Sequence, residues 1–187
     1  MADDRLPPLP LDRMTDTQHV AAASFAELRG TAVFGPFVPL LRSPELMTLT
    51  ATLGEYLQFR SALVPKLREL AILVTSREWA QQFARAALTA GLSADLVGAI
   101  ARGRRPDGMD EDEAPVYDLC LEIHRVKTVT DAVYARAVER LGEQAVVDAI
   151  GICGYYTLLA MVMNMAQTPL PAGRVPALAP LSNSRGT

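Results

Sequence analysis

The chain has 187 residues and a formal net charge of −3, with acidic and basic residues interspersed. This length favours one domain with a substantial core, and the charge pattern excludes the basic surface of a nucleic-acid-binding protein. Two cysteines, Cys120 and Cys153, are too few for a disulfide framework and lack metal-ligand spacing. We therefore expect a reducing, cytoplasmic location and no bound metal.

The first predicted helix has clear boundary signals. Thr15 with Gln18 fits a capping box, and Gly30 would end the helix that follows. The next segment, TAVFGPFVPLL, contains Phe34 and Phe37 and is unusually apolar for a solvent-facing connection. Two interpretations remain open: this segment folds back onto the core, or Phe34 and Phe37 help to roof a ligand pocket.

The middle of the chain shows only helical periodicity. Ser43 followed by Pro44 signals a helix start. We expect the buried side of that helix to carry its leucines, Leu46, Leu49, Leu53 and Leu57. Pro65 suits the first turn of the next helix, and later helices are predicted to begin near Ser93, Asp112 and Thr130. Because no segment alternates as a strand would, the sequence predicts an all-α fold.

The last predicted helix, about Glu143 to Ala166, is apolar nearly all round and almost long enough to cross a bilayer. Asp148, Asn164 and two glycines interrupt it, which favours the central helix of a soluble assembly over a membrane span. That much apolar surface predicts a homo-oligomer and no membrane partner.

The predicted organisation has three parts. Residues 1–14 form an irregular leader, residues 15–167 a single helical domain, and residues 168–187 a proline-rich arm or tail. The acidic start MADDRLPP lacks the apolar core of a signal peptide, which agrees with the expected cytoplasmic location.

Five segments carry a family resemblance. They are RLPPLPLDRMT, GPFVPLLRSPELM, RELAILVTSREWAQQF followed by AGLS, GRRPDGMDEDEAPVYDLCLEIHR, and VTDAVYARAVERLGEQAVVDAIGICGYYTLLAMVMN. In these segments, which cover most of the chain, the sequence resembles the carboxymuconolactone decarboxylase family, whose relatives include alkylhydroperoxidase-D-type proteins. The resemblance implies an all-helical, oligomeric subunit of alkylhydroperoxidase-D-like fold. It also implies cofactor-free proton transfer on a small lactone or oxo acid.

The resemblance assigns the family's polar site positions to this chain. Glu69 matches the first position, and Gln81, twelve residues later, matches the second. The third and fourth positions, which carry Glu and His in similar members and Cys and His in the peroxidase branch, fall on Ala84 and Leu88. A Glu-Trp-x-x-His segment is therefore missing after Phe83. Five missing residues rotate the rest of a helix by about 140° and shorten it by about 7.5 Å.

Glu69 is the best remaining catalytic candidate, with Gln81 beside it in that role. A carboxylate among apolar residues tends toward a raised pKa unless it is paired, which suits a general base. The alternative is a simple ion pair with Arg68, with Lys66 or with an arginine elsewhere in the chain. Without a His partner, a lone carboxylate is a weak acid–base device.

Four residues are candidates for substrate binding: Trp79, Phe34, Phe37 and His124. Trp79, the sole tryptophan, either packs in the core or forms a pocket wall. His124 has no companion ligand at metal spacing, so it either packs at a helix end or exchanges a proton in a pocket.

Two functions from different classes follow. The first is a carboxymuconolactone-decarboxylase-type lyase, impaired by loss of the acid–base pair. The second is a non-catalytic oligomeric scaffold or small-molecule-binding descendant. An alkylhydroperoxidase-type antioxidant protein is less favoured. The reason is that Cys120 and Cys153 lie on different predicted helices and form no Cys-x-x-Cys arrangement, which argues against a dithiol peroxidase.

Overall fold

The computed structural model describes residues 4–80 and 88–169, and these described residues form helices and turns and no strand. A 3₁₀ turn, Leu11–Arg13, precedes eight α-helices in these ranges. They are α1 Asp16–Arg29, α2 Phe37–Leu40, α3 Pro44–Phe59, α4 Pro65–Glu78, α5 Ala94–Ala101, α6 Glu113–Arg125, α7 Asp131–Leu141 and α8 Glu143–Ala166. The prediction of an all-α fold is confirmed.

Helix ends follow the local signals in the sequence. Thr15 forms a capping box with Gln18 at the start of α1, and Gly30 ends that helix at φ 65°. The Ser93 side chain accepts a hydrogen bond from the backbone N–H of Leu96 at the start of α5. Each bond joins residues three apart, so the local sequence alone specifies it.

The buried side of α3 differs from the predicted one. Leu46, Leu49 and Leu53 are exposed, and of the four leucines only Leu57 is buried. The buried residues of α3 are Met47, Thr50, Ala51, Gly54 and Leu57. Both stripes have helical spacing, so periodicity could not choose between them. Packing against α1 selects the face with small residues, which allow a close approach.

The described residues fall into two compact units, the first formed by residues 4–60 and 158–169. Within it, α1 and α2 pack against α3. Phe25, Phe34 and Phe37 form an aromatic cluster, with ring centroids 4.6 Å apart for Phe25 and Phe37. The backbone N–H of Arg5 donates to the Ala166 carbonyl at 2.8 Å, which anchors the start of the described chain.

The second unit comprises, among the described residues, 61–80 and 88–157. Here α4 packs against α5 and α6, and α6 also packs against α7. All residues of α4 from 69 to 77 are buried. The boundary between the units falls inside α8. The prediction of a single domain over 15–167 stays a prediction.

Helix α8 has 24 residues and is, within the described ranges, the one helix long and apolar enough to cross a bilayer. It carries Asp148, which is 6% exposed and accepts a hydrogen bond from the backbone N–H of Ala62 at 2.7 Å. The absence of a membrane partner stays a prediction.

Candidate functional site

Glu69 lies on the buried helix α4, where its exposed fraction is 6%. The adjacent Leu70 is completely buried, and Leu67 is nearly so. The Nε atom of Arg68 lies 3.9 Å from Oε1 of Glu69. The structure thus combines the two alternatives from the sequence, because the carboxylate is buried among apolar residues and also has a guanidinium close by.

The predicted catalytic residue Gln81 and the predicted gap cannot be placed relative to Glu69. Gln81 lies outside the described residues, as do Phe83, Ala84 and the predicted gap between them. Leu88, the position where the family carries His, is described and half exposed. The assignment of Gln81 as a catalytic residue therefore stays a prediction.

Trp79 follows the last residue of α4, and its backbone N–H donates to the Thr75 carbonyl at 3.2 Å. Its side chain is partly buried. The next residue, Ala80, has φ 55°, so the chain leaves the helical path at this point.

The two phenylalanines of the predicted pocket roof behave differently. Phe37 is 4% exposed and packs on Phe25, as the fold-back interpretation expects. Phe34 is 53% exposed and lines a cleft of about 390 Å³. The other residues of this cleft are Leu28, Arg29, Thr31, Glu55 and Phe59. Both phenylalanines belong to the first unit, whereas Glu69, Trp79 and His124 belong to the second.

Four side chains from three helices of the second unit meet in what we call the thiol cluster: Thr75 on α4, Cys120 and His124 on α6, and Cys153 on α8. The Nε2 atom of His124 lies 3.0 Å from Oγ1 of Thr75. Hydrogen bonding with the three other members acts on the pKa of Cys153. Thr75 and Cys120 are completely buried, and Cys153 is 3% exposed.

These contacts shift the pKa values of the two thiols in opposite directions. The hydrogen bond from Cys120 lowers the pKa of Cys153 to about 5, with help from His124 and Thr75 and against the effect of burial. The hydrogen bond to Cys153, together with burial, raises the pKa of Cys120 above its ordinary value. The pair therefore titrates in two steps whose apparent pKa values belong to the two sulfurs together. The contacts favour ionisation of Cys153 over Cys120.

The sequence indicates only part of the thiol cluster. Cys120 and His124 are four residues apart on one helix, so they share a helical face. Cys120 and Cys153 lie on different helices, as predicted, but no sequence pattern indicates that α6 and α8 bring them together. Thr75 is not among the residues that the sequence pattern singles out. Within the described ranges, no group of three or more His, Cys, Asp or Glu residues is placed to hold a metal ion.

Comparison with known proteins supports the fold. No family model and no curated protein matches the chain. Among solved structures, the apo crystal structure of the debrominase Bmp8 is similar, with a TM-score of 0.67 and 12% sequence identity. The match covers 91% of this chain and 94% of that chain. At this identity the likeness shows a shared helical fold and carries no activity with it.

Proposed function

We propose that this protein is a cofactor-free acid–base enzyme of the carboxymuconolactone decarboxylase type, with Glu69 as the group that moves a proton. Its substrate would be a small lactone or oxo acid. The observation that carries the proposal is the position of Glu69, a carboxylate with 6% exposure on a helix whose neighbouring side chains are buried. The family resemblance of the sequence supplies the reaction class.

Burial removes the Glu69 carboxylate from water. Removing a carboxylate from water is costly unless other groups compensate for the lost hydration. The nearest Arg68 nitrogen lies 3.9 Å away, which is longer than the contact of about 2.7–2.9 Å in a charge-assisted hydrogen bond. Arg68 therefore supplies charge compensation to the buried Glu69 carboxylate. In a site that excludes water, a general base of this kind acts on a substrate more strongly than in solution.

By resemblance, two further residues would bind the substrate near Glu69. By resemblance, Gln81 would hold a substrate oxygen through its side-chain amide, and Trp79 would form an apolar wall. The debrominase with a similar fold is an enzyme, which agrees with a catalytic centre on this helical scaffold. The activity in that protein's name is not part of the proposal.

The test is solvent-deuterium exchange into a panel of small lactones and oxo acids, followed by NMR for the native chain and for Glu69→Gln. Loss of the general base should lower the rate on the order of 10²–10⁴-fold. The matched control is Glu113→Gln, because Glu113 is also a buried carboxylate, 4% exposed and paired with Lys66 at 2.7 Å. This control should keep the native rate, with circular dichroism confirming that each variant is folded.

Two outcomes would contradict the proposal. Equal exchange by the native chain and Glu69→Gln would remove Glu69 from the reaction. No exchange by the native chain with any member of the panel would favour the alternative, a non-catalytic scaffold or small-molecule-binding descendant.

A further inference from the structure

A cleft in the first unit has no part in the proton transfer proposed for Glu69. It has a volume of about 390 Å³ and is lined by Leu28, Arg29, Thr31, Phe34, Glu55 and Phe59. All six residues belong to the first unit, whereas Glu69 belongs to the second. The volume lies in the range of small-molecule pockets and exceeds the roughly 150 Å³ of a cavity that holds benzene.

Exposed apolar side chains form one part of this cleft. Phe34, between α1 and α2, is 53% exposed, and Phe59, the last residue of α3, is 68% exposed. Leu28 on α1 is 41% exposed. A flat ring that packs on these side chains removes apolar surface from water and gains aromatic contacts. The apolar part of the cleft therefore favours an aromatic ligand.

The polar part of the cleft is an incomplete ion pair. The Nη1 atom of Arg29 lies 4.0 Å from Oε2 of Glu55, which is too far for a hydrogen bond. Among the described residues, neither Nε of Arg29 nor Oε2 of Glu55 has a hydrogen-bond partner, although both atoms are buried. Buried polar atoms are nearly always paired, so a donor and an acceptor remain here for a ligand. The two side chains are 19% and 28% exposed, so each still faces solvent in part.

The charges of Arg29 and Glu55 select the head group of that ligand. A carboxylate near Arg29 would also meet the like charge of Glu55, and a cation near Glu55 would meet the like charge of Arg29. A guanidinium only donates hydrogen bonds and a carboxylate only accepts them. A neutral group with an acceptor beside a donor therefore suits both residues, and a primary amide is such a group.

We propose that this cleft binds a small, neutral aromatic amide. The aromatic ring packs on Phe34 and Phe59. The amide oxygen accepts a hydrogen bond from the Arg29 guanidinium, and the amide nitrogen donates one to the Glu55 carboxylate. This is a binding function in addition to the proton transfer proposed for Glu69.

The first experiment compares benzamide, benzoate and benzamidinium on the native chain. The three molecules have the same ring and a planar head group of the same size, and they differ in charge. Binding is followed through the Arg29 Nε–H signal in ¹⁵N-labelled protein, which is assigned by its loss in Arg29→Lys. We expect benzamide to shift this signal and to bind about tenfold more tightly than either ion, because one unmatched polar contact costs that much affinity.

Glu55→Gln should change the preference of the cleft. The variant removes the negative charge that repels an anion, so benzoate should bind about tenfold more tightly than it does to the native chain. A gain of binding cannot result from unfolding. The matched control is Glu45→Gln, because Glu45 is an exposed carboxylate in the first turn of the same helix and does not line the cleft. This control should keep the native order of affinities.

Phe59→Ala tests the apolar part of the cleft. The ring of Phe59 is largely exposed, so its removal should leave the fold intact, with circular dichroism as the check. We expect all three molecules to bind about three- to tenfold more weakly, because each loses the same aromatic contact.

The proposal is wrong if benzamide leaves the Arg29 signal unchanged up to its solubility limit, or if the native chain binds the three molecules equally. Unchanged benzoate affinity in Glu55→Gln would also contradict it. A change of the Arg29 signal on dilution, without any ligand, would show that a second copy of the chain covers the cleft instead.

The comparison of the three molecules uses the native chain, so it decides the proposal even if a variant fails to fold. None of these measurements depends on Glu69, so they leave the acid–base proposal unaffected.

Discussion

The Nε2 atom of His124 lies 3.0 Å from the Oγ1 atom of Thr75, which links the last turn of α6 to a completely buried hydroxyl on α4. The same hydroxyl lies 2.8 Å from the Ala71 carbonyl and is also a partner of Cys153. It has one hydrogen to donate, so rotation about its C–O bond decides whether Ala71 or the Cys153 sulfur receives it. Thr75 thus connects the histidine to the thiol pair.

Thr75→Val should raise the pKa of Cys153 toward its ordinary value, because the variant removes one of the hydrogen bonds that stabilise the thiolate. It should also cost about 1 kcal/mol of unfolding free energy. The rate of iodoacetamide alkylation against pH measures the first effect. The matched control is Ser76→Ala, since the Ser76 hydroxyl donates to the Ile72 carbonyl at 2.6 Å and is not a partner of Cys153. An unchanged pH profile in Thr75→Val would contradict the assignment.

Cys153 should make stability depend on pH. Its pKa falls from 9.0 in the unfolded reference to about 5 in the folded chain. Between these values the unfolded chain binds more protons, so the free energy of unfolding rises with pH. The contribution is present above pH 9.0 and is lost as the pH falls through about 5. Above pH 9.0, the raised pKa of Cys120 acts in the opposite direction, because the unfolded chain then loses a proton that the folded chain keeps.

Urea unfolding of the native chain and of Cys153→Ala, under reducing conditions, measures this difference at each pH. We expect the stability difference between the two chains to grow from pH 5 toward pH 9. A difference that does not change with pH would show that Cys153 titrates normally.

Lys66, at the start of α4, forms ion pairs with two carboxylates. Its Nζ lies 2.7 Å from Glu113 and 2.8 Å from Asp110. The hydrogen bond from Lys66 lowers the pKa of Asp110, and the bonds to Asp110 and Glu113 raise the pKa of Lys66. The Asp110 contribution to stability is therefore present at neutral pH and is lost as acid protonates its folded form, whereas the Lys66 contribution is lost at high pH.

Glu113→Gln should lower the unfolding free energy by about 1–3 kcal/mol, because Glu113 is buried and its carboxylate also accepts from the Asp110 N–H at 2.9 Å. Asp110→Asn should cost less than about 1 kcal/mol, since Asp110 is half exposed and solvent screens its ion pair. Urea unfolding at neutral pH compares the two. A larger loss of unfolding free energy in Asp110→Asn than in Glu113→Gln would show that burial of the carboxylate does not decide which substitution costs more.

Asp148 should be important for the stability of the second unit, because its buried carboxylate accepts the Ala62 backbone N–H at 2.7 Å. Asp148→Ala leaves that N–H without its acceptor and should cost about 1–3 kcal/mol. Asp148→Asn retains an acceptor oxygen and should cost less. Chemical denaturation of both variants tests this order. Equal losses of unfolding free energy in Asp148→Ala and Asp148→Asn would mean that the negative charge, and not the acceptor oxygen, provides the stabilisation.

The chain is predicted to form a homo-oligomer. Leu46, Leu49 and Leu53 form an exposed apolar stripe on α3, and exposed apolar surface of this kind favours association. Sedimentation velocity at micromolar concentration should therefore detect a species larger than 20.2 kDa. A monomer under these conditions would contradict the prediction.

The sequence by itself determined several helix ends. The capping box at Thr15, the left-handed stop at Gly30 and the Ser93 cap all depend on residues within one helical turn, so local sequence is sufficient to specify them. The buried position of Glu69 followed in the same way from the apolar residues around it on α4.

Only the tertiary structure decided which face of each helix became buried and which side chains met. In α3, two stripes had the same period, and packing against α1 buried the one that contains Met47 and Ala51 rather than most of the leucines. Cys120 and His124 share a face of α6, but the approach of Thr75 and Cys153 depends on how α4 and α8 pack in the second unit. Helical periodicity describes one helix at a time, whereas a hydrogen-bonded thiol cluster requires three helices to be placed together.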